Sequence, residues 1–202
     1  MSKYMVKRRI TVKGEDKRGR ILSKALQLFN KHGVEHVAVR DIARELAMRP
    51  GHITYYFPDK QSLVLELTAR LRALNDGVVP DGSVRSLDEF FARFEQVLRN
   101  HIAYRSLLLS MARLLSQLPR VKAQYRATQE KRLADLRACF RALIAKGELR
   151  SMGKADEDHL VSCCSLISRG WIPETLAAGY DPEERIPHYM NMVRRLVQPF
   201  RT

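Results

Sequence analysis

Apolar residues recur along this chain at spacings of three and four, so the pattern predicts helices nearly throughout. A first helix is expected from Glu15 to His32, with Ile21, Leu22, Ala25, Leu26, Leu28 and Phe29 as its apolar stripe and Gly33 as its stop. Val39, Ile42, Ala43 and Leu46 fall on one face of a second, short helix, and Ala47-Met48-Arg49 breaks that pattern as a turn. Pro50 suits the first position of a third helix, because its φ is already helical and its missing N–H is not needed there. Ile53 and Phe57, four apart, anchor this helix, and Pro58-Asp59 ends it. Asp59 can cap a fourth helix running from Lys60 to Asn75, with Leu63, Leu67, Leu71 and Leu74 as its stripe. Residues 76–86, with Gly77, Pro80 and Gly82, read as a loop.

From Leu87 the helical pattern continues to the end. A fifth helix carries Leu87, Phe90, Phe91, Phe94, Val97 and Leu98, and a sixth is expected as one piece from Tyr104 to Leu118, bounded by Pro119. A long seventh covers Arg120 to Lys146. The eighth starts near Asp156 and carries Leu160, Cys164, Ile167 and Trp171, with Pro173 expected to kink or shorten it. Asp181-Pro182-Glu183-Glu184 opens a ninth, with Ile186, Tyr189, Met190, Val193, Leu196 and Val197 inside. The expected fold class is therefore all-α, with about nine helices, no internal repeat and no strand.

The second and third helices carry the candidate chemistry. Two short helices joined by a tight turn form the unit that lays its second helix in the DNA major groove. On that geometry Arg49, His52 and Thr54 face the groove: Arg49 can bond bidentately to guanine, and His52 and Thr54 can bond base edges or phosphates. Gly51, following Pro50, lets the backbone come close to DNA, while Tyr55 and Tyr56 offer hydroxyls to phosphates as their rings pack. Core packing alone is the competing reading for each tyrosine.

The stretch resembles the DNA-binding domain of the TetR family of bacterial transcriptional regulators. The family pattern runs roughly Ile-Ala-x-x-Ala-Gly-Val-Ser-x-Gly-x-x-Tyr-x-Tyr/His-Phe-x-x-Lys-x-x-Leu. Here it reads Ile42, Ala43, Leu46-Ala47-Met48-Arg49, Gly51, Tyr56, Phe57, Lys60 and Leu63. Among the departures, Ala47 replaces Gly, Arg49 replaces a capping Ser, Thr54 replaces a phosphate-contacting Tyr, and Ala38 replaces a Thr near the start of the second helix. The resemblance implies a phosphate contact from Lys60 and a division into three parts: a basic flexible arm (1–14), a three-helix helix-turn-helix domain (15–59) and a larger ligand-binding and dimerisation domain (60–202). It also implies a homodimer built through the eighth and ninth helices, whose two reading helices, about 34 Å apart, meet a palindromic double-stranded operator. The expected regulator is a repressor, released when a small-molecule effector moves the fourth helix; an activator fits the same residues.

Composition sharpens this picture in one respect. The chain has 202 residues, 45% hydrophobic and 29% charged, which is ordinary for a globular protein, but a net charge of +14, which is not. Such a surplus calls for a polyanionic partner, most often nucleic acid. Lys3, Lys7, Arg8, Arg9 and Lys13 concentrate part of it in the arm, which could follow phosphates, enter the minor groove, or add only non-specific attraction. No apolar run is long enough for a membrane span, no secretory h-region opens the chain, and Cys139, Cys163 and Cys164 form no disulfide framework, so a bacterial cytoplasm is expected. No phosphate loop, nucleophile elbow, zinc spacing or catalytic carboxylate pair stands out, so neither enzyme activity nor a cofactor is expected.

A ligand pocket needs apolar walls with a few converging polar groups. Within the region the resemblance assigns to ligand, the candidates are Phe91, Phe94, His101, Tyr104, Met111, Tyr125, Cys163, Arg169 and Trp171. Plain core packing competes for every one of them. Arg169 is either an inward charge that needs an anionic ligand or a solvated or dimer-contacting one. A helical protein that coats DNA, or binds acidic partners without an effector, is the alternative function.

Overall fold

The structure, a computed structural model, describes residues 12–202, with side chains from residue 16 onward; the arm positions Lys3, Lys7, Arg8 and Arg9 lie outside the described residues. Ten α-helices follow one another: α1 (Val12–His32), α2 (Val39–Glu45), α3 (Pro50–Tyr56), α4 (Lys60–Asp76), α5 (Leu87–Ala103), α6 (Arg105–Leu109), α7 (Met111–Gln117), α8 (Pro119–Ala145), α9 (Lys154–Ala177) and α10 (Pro182–Val197). A 3₁₀ turn at Gln198–Phe200 completes them. Among the described residues there is no strand, only an isolated antiparallel bridge between Leu149 and Arg201, and the fold is all-α. The chain divides into two compact units, Met1–Leu67 and Thr68–Thr202.

The N-terminal unit buries Ile21, Leu22, Ala25 and Phe29 of α1 with Ile42 and Ala43 of α2, Ile53 and Phe57 around α3, and Leu63, Val64 and Leu67 of α4. α1 begins at Val12, so residues 12–14, expected in the arm, are helical. Gly33 ends it with φ +86°, donating its N–H to the Phe29 carbonyl at 2.8 Å. Ala38 has no side chain with which to cap α2. Asp41 supplies the reciprocal half of a capping box instead, accepting the Ala38 N–H at 2.9 Å. That bond, helped by Arg44 and Arg40, holds the Asp41 carboxyl below its usual pKa. Arg18 forks onto Glu66 at 2.8 and 3.0 Å, and its guanidinium lies 4.9 Å over the Phe57 ring.

The C-terminal unit packs α5, α8, α9 and α10 around one core. Phe90 meets Phe91, Phe94 and Phe140, and Trp171 meets Tyr189 edge-on at 5.6 Å. Buried Glu157 of α9 accepts Arg141 at 2.7 and 3.1 Å and Arg137 at 3.4 Å, so an ion-pair cluster ties α8 to α9. Arg141 first, then burial working the other way, sets a Glu157 pKa below the ordinary glutamate value.

Three expectations are corrected here. The single helix expected over 104–118 is two, α6 and α7, because Ser110 leaves helical ψ for 2° and turns Leu109 out to solvent. Pro173 does not shorten α9, which runs on to Ala177; the proline removes only the N–H that would bond the Arg169 carbonyl, and buried Trp171, Ile172 and Thr175 hold the helix on both sides of it. Leu74, expected in the α4 stripe, is 46% exposed, since the last turn of α4 buries Asn75 in its place.

Ala47 sits in the turn between α2 and α3 with φ +52°, the left-handed region where a Cβ crowds the backbone. Replacing Ala47 with Gly removes that crowding at some cost in chain entropy. The expected net gain is about 0.5 to 1 kcal/mol, read as a raised urea midpoint of the N-terminal unit.

Candidate functional site

α3 is a seven-residue helix with two opposite faces. Ile53 and Phe57 are fully buried, while Arg49, Pro50, Gly51, His52, Thr54 and Tyr55 are exposed and Tyr56 is half-buried. The structure thus brings the sequence-predicted reading residues onto one open surface, with Tyr55 63% exposed and set edge-on against Tyr56 at 5.1 Å. Arg49 precedes the helix as an extended N-cap residue without a side-chain cap bond, so its guanidinium is not engaged in holding the helix end. Thr54 donates its hydroxyl to the Gly51 carbonyl at 3.2 Å and keeps acceptor capacity outward. A Cβ added at Gly51 would meet open space, so nothing in the N-terminal unit stands in the way of a surface approaching it. Lys60 donates to the Glu35 carbonyl at 3.1 Å, which pins the α1–α2 connection to the start of α4. Arg40, the second residue of α2, is also exposed; it lies outside the third helix, to which groove-facing groups were expected to belong.

The C-terminal unit holds a cavity of about 160 Å³. Of the predicted pocket residues, Phe94, His101, Met111, Tyr125 and Arg169 line it. Phe91, Tyr104, Cys163 and Trp171 do not. Phe91 packs on Phe90 in the core, Tyr104 is the half-buried residue between α5 and α6, and Cys163 lies 3.6 Å from the His159 ring. Trp171 is fully buried, one bond behind the wall, donating its indole N–H to His101 Nδ1 at 3.3 Å. Polar wall residues not anticipated are Arg72, Asn75, Gln124, Thr128, Gln129, Arg132, Ser165 and Ser168. Their signal was present: Gln124, Thr128 and Arg132 stand four apart on α8, a polar file on a helix that also has to bury Val121, Leu136 and Phe140.

His101 is the chemical centre of this wall. Burial pushes its pKa down to about 4; the Ser168 carbonyl, which favours the charged ring, works against that, and Arg132 adds to the depression. The neutral ring has one donor and one acceptor nitrogen. Because an indole can only donate, Nδ1 accepts from Trp171. On the other side of the ring Nε2 lies 3.3 Å from the Asn75 amide nitrogen; the Asn75 oxygen accepts from the Asn100 amide nitrogen at 2.9 Å, and the Asn100 oxygen accepts from the Gln96 amide nitrogen at 3.0 Å. A run of hydrogen bonds therefore joins α9, α5 and the last turn of α4. Among the described residues, no helix is long and apolar enough to cross a membrane.

Comparison with known proteins agrees with this architecture. Residues 21–67 match the family model described as bacterial regulatory proteins, tetR family, and residues 66–202 match the model described as bacterial transcriptional repressor. A TetR-family transcriptional regulator from Marinobacter aquaeolei VT8 superposes with a TM-score of 0.84 at 24% identity, covering 92% of this chain and 91% of that one. A protein from Saccharomonospora viridis, described as a transcriptional regulator and solved in complex with choline, gives 0.71 at 21% identity, over 89% and 96% of the two chains. NalD of Pseudomonas aeruginosa, the secondary repressor of the MexAB-OprM multidrug efflux pump, gives 0.67 at 18%, over 93% and 98%. Curated proteins give no match.

The depressed pKa of His101 sets an acid limit. The folded ring titrates near 4 and the unfolded one near 6.5, so its contribution is complete above pH 6.5 and is lost as pH falls toward 4. Urea unfolding between pH 7 and pH 4 is expected to show a loss of up to about 3 kcal/mol that His101→Gln largely abolishes. Glu89, held down to about 2 by the Arg85 backbone N–H and by Arg93, loses its own contribution between about 4.5 and 2, so it overlaps only the acid end of this range and persists in the His101→Gln variant.

Proposed function

The chain belongs to the TetR family of bacterial transcriptional regulators, and on that premise we propose that it is a cytoplasmic, homodimeric repressor that leaves a palindromic operator when a small molecule enters the C-terminal cavity. The observation that carries this reading is the division of α3 into a sealed and an open face: Ile53 and Phe57 hold the helix, and Arg49, His52, Thr54 and Tyr55 are left to meet DNA. Arg49 reads a guanine, while Lys60 and the tyrosine hydroxyls hold phosphates and set the register. The net charge of +14 supplies the long-range attraction.

The regulatory half of the proposal rests on α4, a continuous helix whose C-terminal turns supply Thr68, Leu71, Arg72 and Asn75 to the cavity wall. A ligand there shifts the DNA-binding equilibrium by its difference in affinity for the two positions of α4, and by no more than that. Leu166 of α9 and Met192 of α10 are large apolar side chains left exposed, which suits an interface between two copies along these helices. This is a binding function, with no catalytic step and no cofactor.

Selection from a random DNA pool is expected to enrich a palindrome; a flat pool would instead mark a coating protein. Arg49→Ala is expected to relax preference at one base position by about 1–3 kcal/mol, measured by binding to single-base operator variants. Lys60→Ala should weaken all sequences alike and lower the slope of log affinity against log salt by about one unit. Identical behaviour of the two variants would remove the assignment of base reading to one and phosphate holding to the other.

A further inference from the structure

We propose that the cavity of the C-terminal unit takes a small carboxylate with an apolar body, its acid group held at the rim by Arg72 and Arg169. The placement of a ligand there rests on the effector reading above; the chemical class comes from the distribution of charge around the wall.

No aspartate or glutamate lines the cavity, so a cationic ligand would leave water without any counter-charge. Three arginines do line it, and they are not equivalent. Arg132, with its side chain 12% exposed, is already engaged by Asp76 at 2.6 Å and Asp135 at 3.4 Å, and it also reaches the Arg72 carbonyl. It braces α8 against α4. Arg72 and Arg169 have no carboxylate within ion-pair distance among the described residues. Arg169 donates Nε to the Ser165 carbonyl at 3.2 Å, which steadies the head while its terminal nitrogens stay available. Both residues are exposed, so water screens their charge. A ligand whose body fills the apolar wall would displace that water and allow a short, charge-assisted pair.

The rest of the wall fits the other end of such a molecule. Leu71, Phe94, Val97, Leu108 and Leu136 present apolar surface from α4, α5, α6 and α8. His101, neutral and bonded at both ring nitrogens, adds no further positive charge to the wall. The guanidinium fork matches a planar carboxylate better than it matches a hydroxyl.

The test uses the full-length protein and three probes that share a chain and differ in charge: octanoate, octan-1-ol and octyltrimethylammonium. Titration calorimetry gives affinity. Trp171, the single tryptophan, is bonded to His101 of the cavity wall and reports occupancy through its emission. Octanoate is expected to bind at least about tenfold more tightly than either of the other probes. Arg72→Gln and Arg169→Gln are each expected to cut that preference several-fold while leaving octan-1-ol binding and the melting temperature unchanged. Arg195→Gln, an exposed change on α10, should do nothing. Equal or tighter binding of the ammonium probe, no octanoate binding at about 1 mM, or an octanoate preference that survives both substitutions would overturn the proposal. Release of DNA from the selected pool is scored separately. Arginine-dependent octanoate binding with unchanged DNA affinity would keep the ligand class and remove the effector mechanism.

Discussion

The burial of Ile53 and Phe57 is the interaction on which the DNA-facing surface depends. A helix as short as α3 does not hold together alone in water, because nucleation costs more than so few hydrogen bonds return. Two side chains placed four apart and removed from solvent supply the difference, at roughly 1.5–3 kcal/mol each. The surroundings reinforce the second anchor: Arg18 lies over the Phe57 ring and is itself fixed by Glu66, so a positive charge is used as a lid for an aromatic ring. With the inner face fixed in this way, the outer positions are released from core packing. His52 and Thr54, exposed between the anchors, can differ without opening the core, which suits a surface proposed to read DNA.

The C-terminal unit solves a different problem. Its core is apolar in the main, yet Asn75, Asn100 and His101 are buried in it. Each would be costly alone, and each is satisfied by the next. Arginine is used with the same economy. Arg137 and Arg141 surround Glu157, Arg132 is braced by Asp76, and Arg93 bonds Glu89 at 2.6 Å. Several of this unit's arginines are therefore structural, whereas Arg72 and Arg169 lie on the cavity wall with no carboxylate in ion-pair range among the described residues.

How far the residues alone revealed this depends on the element. Pro50, Ile53 and Phe57 made α3 legible, because a proline start and two anchors at helical spacing leave little freedom. The break at Ser110 was illegible, since no Pro or Gly marks it and the apolar pattern continues across it. Pro173 does not end its helix, because buried Trp171, Ile172 and Thr175 hold the chain on both sides of the lost bond. In the cavity, periodicity showed which side chains turn inward but not which of them border empty space. His101 and Trp171 looked alike as candidates; one lines the wall and the other stands behind it. The polar file of Gln124, Thr128 and Arg132 has the spacing of an ordinary solvated helix face, and only the fold places it on the wall. Ala38 and Ala47 were legible as departures, but the compensation by Asp41 appears only when the chain is folded.

The bonded run from Trp171 through His101 to Asn75, Asn100 and Gln96 has a further property. Each asparagine in it gives a hydrogen on one side and receives one on the other, so neither can turn over by itself without setting two donors or two acceptors face to face. The indole gives from the opposite side, so the imidazole is where the two runs meet. Whatever displaces that ring disturbs the end of α4 and the middle of α9 together.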